Sequence, residues 1–384
     1  MNQLHVYSPG KGITGYDRVA CDFIEALGHH GVDIQWEEFS GWSPFEARLL
    51  PEQHDVLSRA LAYKPRPQAG PISNLNICLA EQVKLQENAR NLLLTMFECD
   101  GIPDSWIAPL QQLDRVIVPT DFNHWSFTHR SGLAPEKFSV LPIGYNPDRY
   151  NPDVKPLDLQ LGQTGKSVLD FPIRFLVVCE VTERKNFWGT LQTFYQTASM
   201  IGPDKCCLLM KVGNYTRTID LPREIRRFRE QLISEGLIRN EKYYVANYQP
   251  LLPEAVHPRF IATGTHYLST SFGEGWDLTA MQAAACGLHL FVPMHSAYQC
   301  WLQQDEVTFL PLHKKLPAAQ GGATGRLYAG SNWYATNMPA SIEMLVSNLL
   351  DPTMLDCKRA RLVKNIARLQ WSAVVSDYID VLRL

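Results

Sequence analysis

Apolar and polar positions along the chain repeat in the order strand, helix, strand. The segment "QLHVYS" predicts a strand. The segment "GYDRVACDFIEALGHHG" then predicts a helix, because Val19, Phe23 and Leu27 recur at spacing four and Gly31 follows its end. Further strands are predicted at "VDIQWE", "NICLA", "LLLTMF" and "RVIVPT", and a helix at "FNHWSFTHRSG". This βαβ order favours a parallel sheet covered by helices.

The pattern stops near Asn151 and restarts near Ile173. The segment between them, "NPDVKPLDLQLGQTGKSVLD", has no apolar period and predicts a linker. Beyond it, the predicted strands are "IRFLVVCEV", "CCLLMKVG", "YYVANY", "HYLSTS" and "HLFVP", and the predicted helices are "NFWGTLQTFYQTAS", "REIRRFREQLISEG" and "LTAMQAAACG". We therefore predict two doubly wound α/β domains, residues 1–158 and 159–352, followed by C-terminal helices over residues 353–384.

Length, charge and cysteine content narrow the class of protein. The 384 residues exceed what one hydrophobic core usually serves, which agrees with two domains. A net charge of −3 gives no overall footprint for nucleic acid, although a local basic patch would be hidden in that total. No apolar run reaches the ~18 residues of a membrane span, and "MNQLHVYSPGKG" lacks the regions of a signal peptide. The nine cysteines show no zinc-binding spacing, so we expect a cytoplasmic protein without a bound metal.

The segment "TSFGEGWD" is the main candidate for a binding loop, because ligands of open α/β sheets lie where strands end. Asp277 is placed to cap the next helix, whose free amides favour an anion. Gly273 and Gly275 would let a ligand approach the backbone closely, and Glu274, which we expect to be exposed, would accept hydrogen bonds from hydroxyls. The loop suits a sugar nucleotide, although an ordinary surface turn with a capping Asp explains the same residues.

Two other loops give weaker signals. In "CEVTERKNF", Arg184 and Lys185 lie between a strand and a helix, where two cations can neutralise a diphosphate; a solvated charged turn is the alternative. In "SPGKGITGYDR", Gly10, Gly12 and Gly15 fit neither the dinucleotide nor the Walker spacing, so a flexible loop lining the cleft is the modest interpretation.

Together these segments resemble the large family of retaining nucleotide-sugar glycosyltransferases with the GT-B fold (family 4-like, glycosyl transferases group 1). The segment "SFGEGWDLTAMQAAACGL" is similar to a signature that typically reads Glu-Gly-Phe-Gly-Leu-Pro, then a second Glu, then Ala-Met-Ala-Cys-Gly. The segments "TMFECDGIPDSW", "VIVPTDFN", "VLPIGYNPDRYNP" and "ERKNFWGTLQTF" follow the family's order over nearly the whole chain. The resemblance implies two Rossmann-like domains facing across a cleft. It also implies that a C-terminal helix, here carrying Trp371 and an apolar face of Val374, Tyr378 and Leu382, crosses back onto the first domain.

The resemblance also assigns residues to the donor, a nucleotide-diphosphate sugar. Glu274 would meet the sugar near the reacting carbon, and Lys185, with Arg184 beside it, would stabilise the leaving diphosphate. The other donor contacts that it implies are Gly15, Val245, Asn247, Tyr248, Gly275, Trp276, Asp277, Leu278, Thr279 and Gln282. The residues from Val245 to Tyr248 would frame the nucleobase. UDP is favoured over GDP or ADP, with no cofactor and no metal.

Four positions depart from the family's pattern. Gln282 replaces the second Glu, which keeps an acceptor oxygen for the ribose but loses the charge. Asp277 stands where a glycine is usual. Glu180 stands where Arg or Lys is common, so Arg184 could replace that cation. Glu98 stands where many members have a His that helps to hold the donor sugar.

The acceptor side is less defined. Glu98 and Asp100 could face the acceptor, and Arg18 could bind an anionic acceptor or a phosphate, or form a surface salt bridge. The segments expected to shape the acceptor pocket, residues 39–53 and 79–88, match no known chemistry.

The hypothesis from the sequence is a retaining, metal-independent glycosyltransferase. Its acceptor hydroxyl would belong to a small molecule or a glycan, with modified nucleic acid as a further option. The alternative is a catalytically impaired GT-B protein that binds a sugar nucleotide or a partner. Gln282, Glu180 and Glu98 favour that alternative, whereas the intact Glu274 and the adjacent Arg184 and Lys185 count against it.

Overall fold

A computed structural model describes residues 3–39, 51–62, 72–213, 220–248, 251–318 and 325–384. The strands within these ranges are β1 (Gln3–Ser8), β2 (Asp33–Glu38), β3 (Ile72–Ile77), β4 (Ala89–Leu94), β5 (Arg115–Val118), β6 (Phe138–Val140), β7 (Ile173–Glu180), β8 (Cys206–Gly213), β9 (Val245–Asn247), β10 (His266–Leu268), β11 (His289–Pro293), β12 (Thr308–Leu310), β13 (Leu312–Pro317) and β14 (Asn332–Thr336). The helices are α1 (Gly15–His29), α2 (Pro51–Ala62), α3 (Asp104–Gln111), α4 (Asp121–Thr128), α5 (Phe187–Ile201), α6 (Leu221–Ser234), α7 (His257–Thr263), α8 (Leu278–Ala285), α9 (Tyr298–Trp301), α10 (Gly325–Tyr328), α11 (Met338–Leu350), α12 (Pro352–Ile366) and α13 (Trp371–Leu382).

The first sheet has the order β2-β1-β3-β4-β5-β6, and all its pairings are parallel. Strand order reverses between β1 and β3, so the loop after β1 lies at a topological switch point. Helix α1 forms as predicted. Val19, Phe23 and Leu27 are buried, and Gly31 adopts φ +75° after its end, a conformation that favours glycine.

The second sheet has the order β12-β11-β10-β7-β8-β9 and is also entirely parallel. Its strand order reverses between β7 and β10, which is the arrangement of a doubly wound dinucleotide-binding fold. The loops that follow β7 and β10 therefore meet at this reversal. These two loops contain the segments "TERKN" and "TSFGEGWD" on which the sequence predictions depend.

Two elements join the domains. The antiparallel hairpin β13–β14 follows the second sheet and reaches the first domain, where the amide and side chain of Asn332 donate to Asp100. Helix α13 crosses back onto the first domain, as the resemblance implied. There Tyr378 packs edge-on against Phe23, and its hydroxyl donates to the carbonyl of Leu141. The hairpin was not predicted from the sequence.

The predicted linker carries only two short 3₁₀ turns, Gly162–Thr164 and Val168–Asp170. The first sheet ends at Val140 and the second begins at Ile173, so the proposed boundary at residue 158 falls between them and remains a prediction. Of the two segments assigned to the acceptor pocket, residues 40–50 and with them most of the first lie outside the described residues. The second, residues 79–88, is hydrogen-bonded within the first domain, where the amide of Lys84 donates to Asn76.

Candidate functional site

The carboxyl ends of the two sheets face a cavity of about 330 Å³. The first domain contributes the start of α1 and the loop after β4, and the second contributes the ends of β7 and β8 and the start of α8. Most of the predicted site residues line this cavity: Gly15, Arg18, Glu98, Arg184, Lys185, Glu274, Gly275, Trp276, Asp277, Leu278, Thr279 and Gln282. The structure thus brings together groups that the sequence separates by more than 250 residues, such as Gly15 and Gln282.

Glu274 is buried in this cavity, with 4% of its surface exposed, so the prediction that it is exposed was wrong. Two cations compensate its burial: the Lys185 Nζ lies 2.7 Å from its Oε1, and the Arg184 guanidinium lies 3.1 Å from its Oε2. Burial alone would raise the pKa of Glu274, but Lys185 and Arg184 outweigh that effect and lower it to about 2. Glu274 is therefore an ionised acceptor held at one side of the cavity.

Arg184 connects three acceptors across the two domains. Its guanidinium donates to the Gly273 carbonyl at 2.8 Å and to Glu274, and its other terminal nitrogen lies 3.2 Å from Glu98. Its backbone is fixed as well, because its carbonyl accepts from the amide of Phe272 at 2.8 Å. Arg184 thus belongs to the frame that orients Glu274, rather than being a solvated charge on a turn.

The N-terminus of α8 is built around Asp277, which caps it from the left-handed region with φ +70°. One carboxylate oxygen accepts from the amide of Ala280, and the other accepts from the hydroxyls of Tyr267 at 2.9 Å and Tyr298 at 2.5 Å. Burial and then the charge of Glu274 raise the pKa of Asp277. Of the two roles considered for Asp277, the structure supports the helix cap, since both its oxygens are already engaged.

The first two amides of α8, those of Leu278 and Thr279, precede any intrahelical acceptor. Within the described part of the chain they form no hydrogen bond, and both residues line the cavity. They therefore have no protein acceptor, and the binding of an anion by this helix start remains a prediction.

The glycines of this loop also serve a purpose that was not predicted, while the approach of a ligand to them remains a prediction. A Cβ on Gly273 would lie 2.1 Å from the backbone oxygen of Glu98, and one on Gly275 would lie 2.9 Å from the Met96 side chain. The atoms that would lie nearest to the added methyl groups thus belong to the first domain. The two domains meet at this loop, and only residues without a side chain fit there.

The glycine loop of the first domain is closed by Asp17. Its carboxylate accepts from the amides of Gly12 at 3.0 Å and Thr14 at 2.9 Å, and Thr14 caps α1 in return. Arg18 follows on α1 and forms an ion pair with Glu254 of the second domain, with both side chains largely buried. Among the alternatives for Arg18, the structure therefore shows a salt bridge, but one that lies between domains rather than on the surface.

Four predicted residues lie outside the cavity lining. Val245, Asn247 and Tyr248 lie in and after β9, at the edge of the second sheet, and Tyr248 packs against Phe260. Asp100 is fully buried beneath the hairpin; burial opposes the lowering of its pKa, but hydrogen bonds from Asn332 and the charge of Arg130 outweigh it. The structure does not bring Asp100 to the site.

Among the lining residues that the sequence did not predict, Lys211 and His257 carry ionisable side chains. Lys211 lies in β8, and its signal was a single cation inside the apolar segment "CCLLMKVG". His257 begins α7 and hydrogen-bonds to the hydroxyl of Tyr150 at 3.0 Å. Burial lowers the pKa of His257 well below its usual value, which makes it a neutral group of the interdomain contact. Nothing in its sequence context marked it.

The described ranges contain neither a candidate metal site nor a helix able to span a membrane. Those residues contain no group of three or more His, Cys, Asp or Glu side chains that could hold a metal ion. No helix formed by them is long and apolar enough to span a bilayer.

The fold is shared with solved glycosyltransferases at low sequence identity. The chain is similar to a glycosyltransferase from Rickettsia africae (10% identity, TM-score 0.63, covering 100% of this chain and 98% of the other). It is also similar to sucrose-phosphate synthase from Thermosynechococcus elongatus (15%, 0.60, 100% and 98%). Anabaena HepE, solved with UDP and glucose, is a third (11%, 0.59, 100% of both chains). No protein-family model and no curated protein sequence matches the chain. At these identities the similarity establishes the GT-B fold predicted from the sequence.

Proposed function

We propose that this protein transfers a sugar from a nucleotide-diphosphate sugar to an acceptor hydroxyl, in the cavity between its two domains. The observation that carries the proposal is the buried Glu274, ion-paired with Lys185 beside the N-terminus of α8. A sugar nucleotide offers hydroxyls to the carboxylate and a diphosphate to the cation and the helix amides. One ligand therefore satisfies both halves of the site, and the fold shared with solved glycosyltransferases supports the same function.

The residues of the cavity suit the departure of a nucleoside diphosphate. Lys185 and the free amides of Leu278 and Thr279 would stabilise the negative charge that develops on the leaving oxygen. Glu274, being ionised, would accept strong hydrogen bonds from sugar hydroxyls, and Arg184 would act by holding Glu274 in position. We propose that the transfer keeps the anomeric configuration of the donor sugar and needs no metal ion, as the family resemblance implies. In that mechanism the acceptor oxygen bonds to the anomeric carbon on the face from which the diphosphate leaves, and its proton passes to the leaving phosphate.

We favour UDP as the donor nucleotide. HepE, which has the same fold, was solved with UDP and with UDP-glucose. Gln282 lines the cavity and keeps an acceptor oxygen for a ribose hydroxyl. The acceptor is a small molecule or a glycan, with modified nucleic acid as the less favoured option. All nine cysteines are free thiols, which supports the cytoplasm as the compartment.

Calorimetric titration with UDP, GDP and ADP, without added metal, tests the proposal. We expect UDP to bind, and Lys185→Ala to weaken that binding by at least about tenfold, which corresponds to ~1.4 kcal/mol. Lys364→Ala, which removes an exposed lysine from α12, is the matched control and should bind UDP like the wild type. Failure of all three nucleotides to bind would contradict a donor site in this cavity.

A second candidate is a binding protein that no longer transfers the sugar. The observation that favours it is the pairing of Arg184 and Lys185 with Glu98 and Glu274, which already neutralises two cations of the cavity. Release of UDP from a panel of UDP-sugars, measured with and without candidate acceptors, separates the two functions. Binding without release across the whole panel would favour the second candidate.

A further inference from the structure

Lys211 is a cation in the cavity that lacks a counter-ion. It lies near the end of β8 opposite Val178 of β7, and both residues line the cavity. Glu180, two residues after Val178, lines it as well but forms no ion pair with Lys211. Within the described residues, Lys211 makes no hydrogen bond or salt bridge, although it is only partly exposed. Lys211 is thus partly shielded from solvent, and its ammonium has no protein acceptor among the described residues.

The other cations of the cavity are engaged. Arg18 pairs with Glu254, Lys185 pairs with Glu274, and Arg184 contacts Glu98, Glu274 and a backbone carbonyl. An ionised group in such surroundings is costly unless an opposite charge accompanies it. Burial and then the nearby charge of Arg18 lower the pKa of Lys211, which reflects the missing partner. A negatively charged group of the ligand could be the missing counter-ion of Lys211.

We propose that Lys211 binds the diphosphate of the donor, as a second cation beside Lys185. The proposal rests on the function proposed above. Lys185 follows β7, and Lys211 lies near the end of β8, the neighbouring strand at ~4.8 Å, so both residues line the cavity from the same edge of the sheet. A nucleobase carries no charge for Lys211 to meet, whereas a diphosphate does. The sequence analysis expected Arg184 to be the second cation at the diphosphate. Arg184 instead forms ion pairs with Glu274 and Glu98.

A series of ligands that differ only in phosphate content tests this assignment. Uridine, UMP and UDP are titrated calorimetrically into the wild type, Lys211→Met and Lys211→Arg, with the corresponding guanosine and adenosine series in parallel. We expect Lys211→Met to weaken UDP binding at least about tenfold, to leave uridine binding unchanged, and to be largely rescued in Lys211→Arg. Lys364→Met removes an exposed lysine far along the chain and should behave like the wild type.

Three outcomes would overturn the inference. Equal affinity of the wild type and Lys211→Met for UDP would show that the lysine does not meet the phosphates. An equal loss for uridine and UDP would show that it shapes the nucleoside end of the cavity. If the wild type bound no nucleoside diphosphate, the proposed function would fail, and this inference with it. Lys211→Gln, checked by thermal unfolding, replaces Lys211→Met if that variant does not fold.

Discussion

Two helix N-termini, those of α1 and α8, face the same cavity but are completed in different ways. In α1 the cap is local: Thr14 and Asp17 satisfy each other, and Asp17 also accepts from the amide of Gly12. In α8 the capping Asp277 depends on the distant hydroxyls of Tyr267 and Tyr298. Both helices therefore begin with a carboxyl group, but that of α1 is used within its own loop, whereas that of α8 is shared with two tyrosines and leaves the amides of Leu278 and Thr279 open.

This difference divides the cavity into two walls. The wall of the first domain contains this closed loop, and its charged residues Arg18 and Glu98 are already paired with the second domain. The wall of the second domain supplies the lysines and open amides that an anionic ligand needs. We infer that the specificity for the diphosphate belongs to the second domain. Variants of the first wall should therefore change mainly the free energy of unfolding, whereas variants of the second wall should also change the affinity for the ligand.

The largest effect is expected at the contact between the walls. In Gly273→Ala the new methyl group would overlap the backbone oxygen of Glu98, which cannot move as a flexible side chain could. We expect a loss of about 3 kcal/mol in the free energy of unfolding, since overpacking of buried contacts usually costs 1–3 kcal/mol and backbone must shift here. Denaturant unfolding measures it, and UDP titration should show weaker binding as the loop separates from Glu98.

A result within 0.5 kcal/mol of the wild type, about the range of an ordinary surface substitution, would mean that the two walls are not in contact in solution. Gly236→Ala is not a suitable control, because Gly236 has φ +69° and an alanine there would be strained by its left-handed backbone. Gly28→Ala on α1 is better suited, since its Cβ would meet only a Val56 side-chain atom at 3.1 Å.

An intermediate effect is expected at the cap of α8. Asp277→Ala removes the acceptor of the Ala280 amide and of two buried hydroxyls, and it leaves alanine in a left-handed conformation. We expect a loss of about 2 kcal/mol, combining the ~1 kcal/mol of a lost cap with the cost of unsatisfied hydroxyls. Asp277→Asn should lose less than half as much, because asparagine caps helices and tolerates this conformation.

A second test compares the free energies of unfolding of the wild type and Asp277→Asn as the pH changes. The folded-state pKa of Asp277 is raised above 3.8, so the folded protein holds this proton more tightly than the unfolded chain does. Ionising Asp277 therefore costs stability as the pH rises from about 3.8 through the raised value. Glu274, with a pKa of about 2, stays ionised over this range. The stability deficit of Asp277→Asn should shrink as the pH rises, and a deficit that grew would contradict the assignment.

The same contrast explains how much of the molecule the sequence could predict. Local periodicity predicted α1 from Val19, Phe23 and Leu27. The family resemblance predicted that Glu274 and Lys185 share one site, in agreement with the position of both residues after strand ends. The burial of Glu274 was not predictable in this way, because it depends on an ion pair between residues 89 positions apart in the chain. The partner of Asp277 on α9 and the lack of a partner for Lys211 are likewise tertiary properties, which one sequence does not encode in any short pattern.

The smallest effect is expected at Gly15, on the wall of the first domain. In Gly15→Ala the new Cβ would lie 3.7 Å from a Leu278 side-chain atom, an ordinary contact, and the backbone there is helical. We expect the free energy of unfolding to rise by about 0.5 kcal/mol, because alanine restricts the unfolded chain. If the charge of Asp17 makes this helix start a poor site for phosphate, UDP affinity should change by less than about threefold, or ~0.65 kcal/mol. A larger loss of UDP affinity in a variant of unchanged stability would instead place Gly15 against the donor, as the family resemblance implies, and would extend the anion-binding site across both walls.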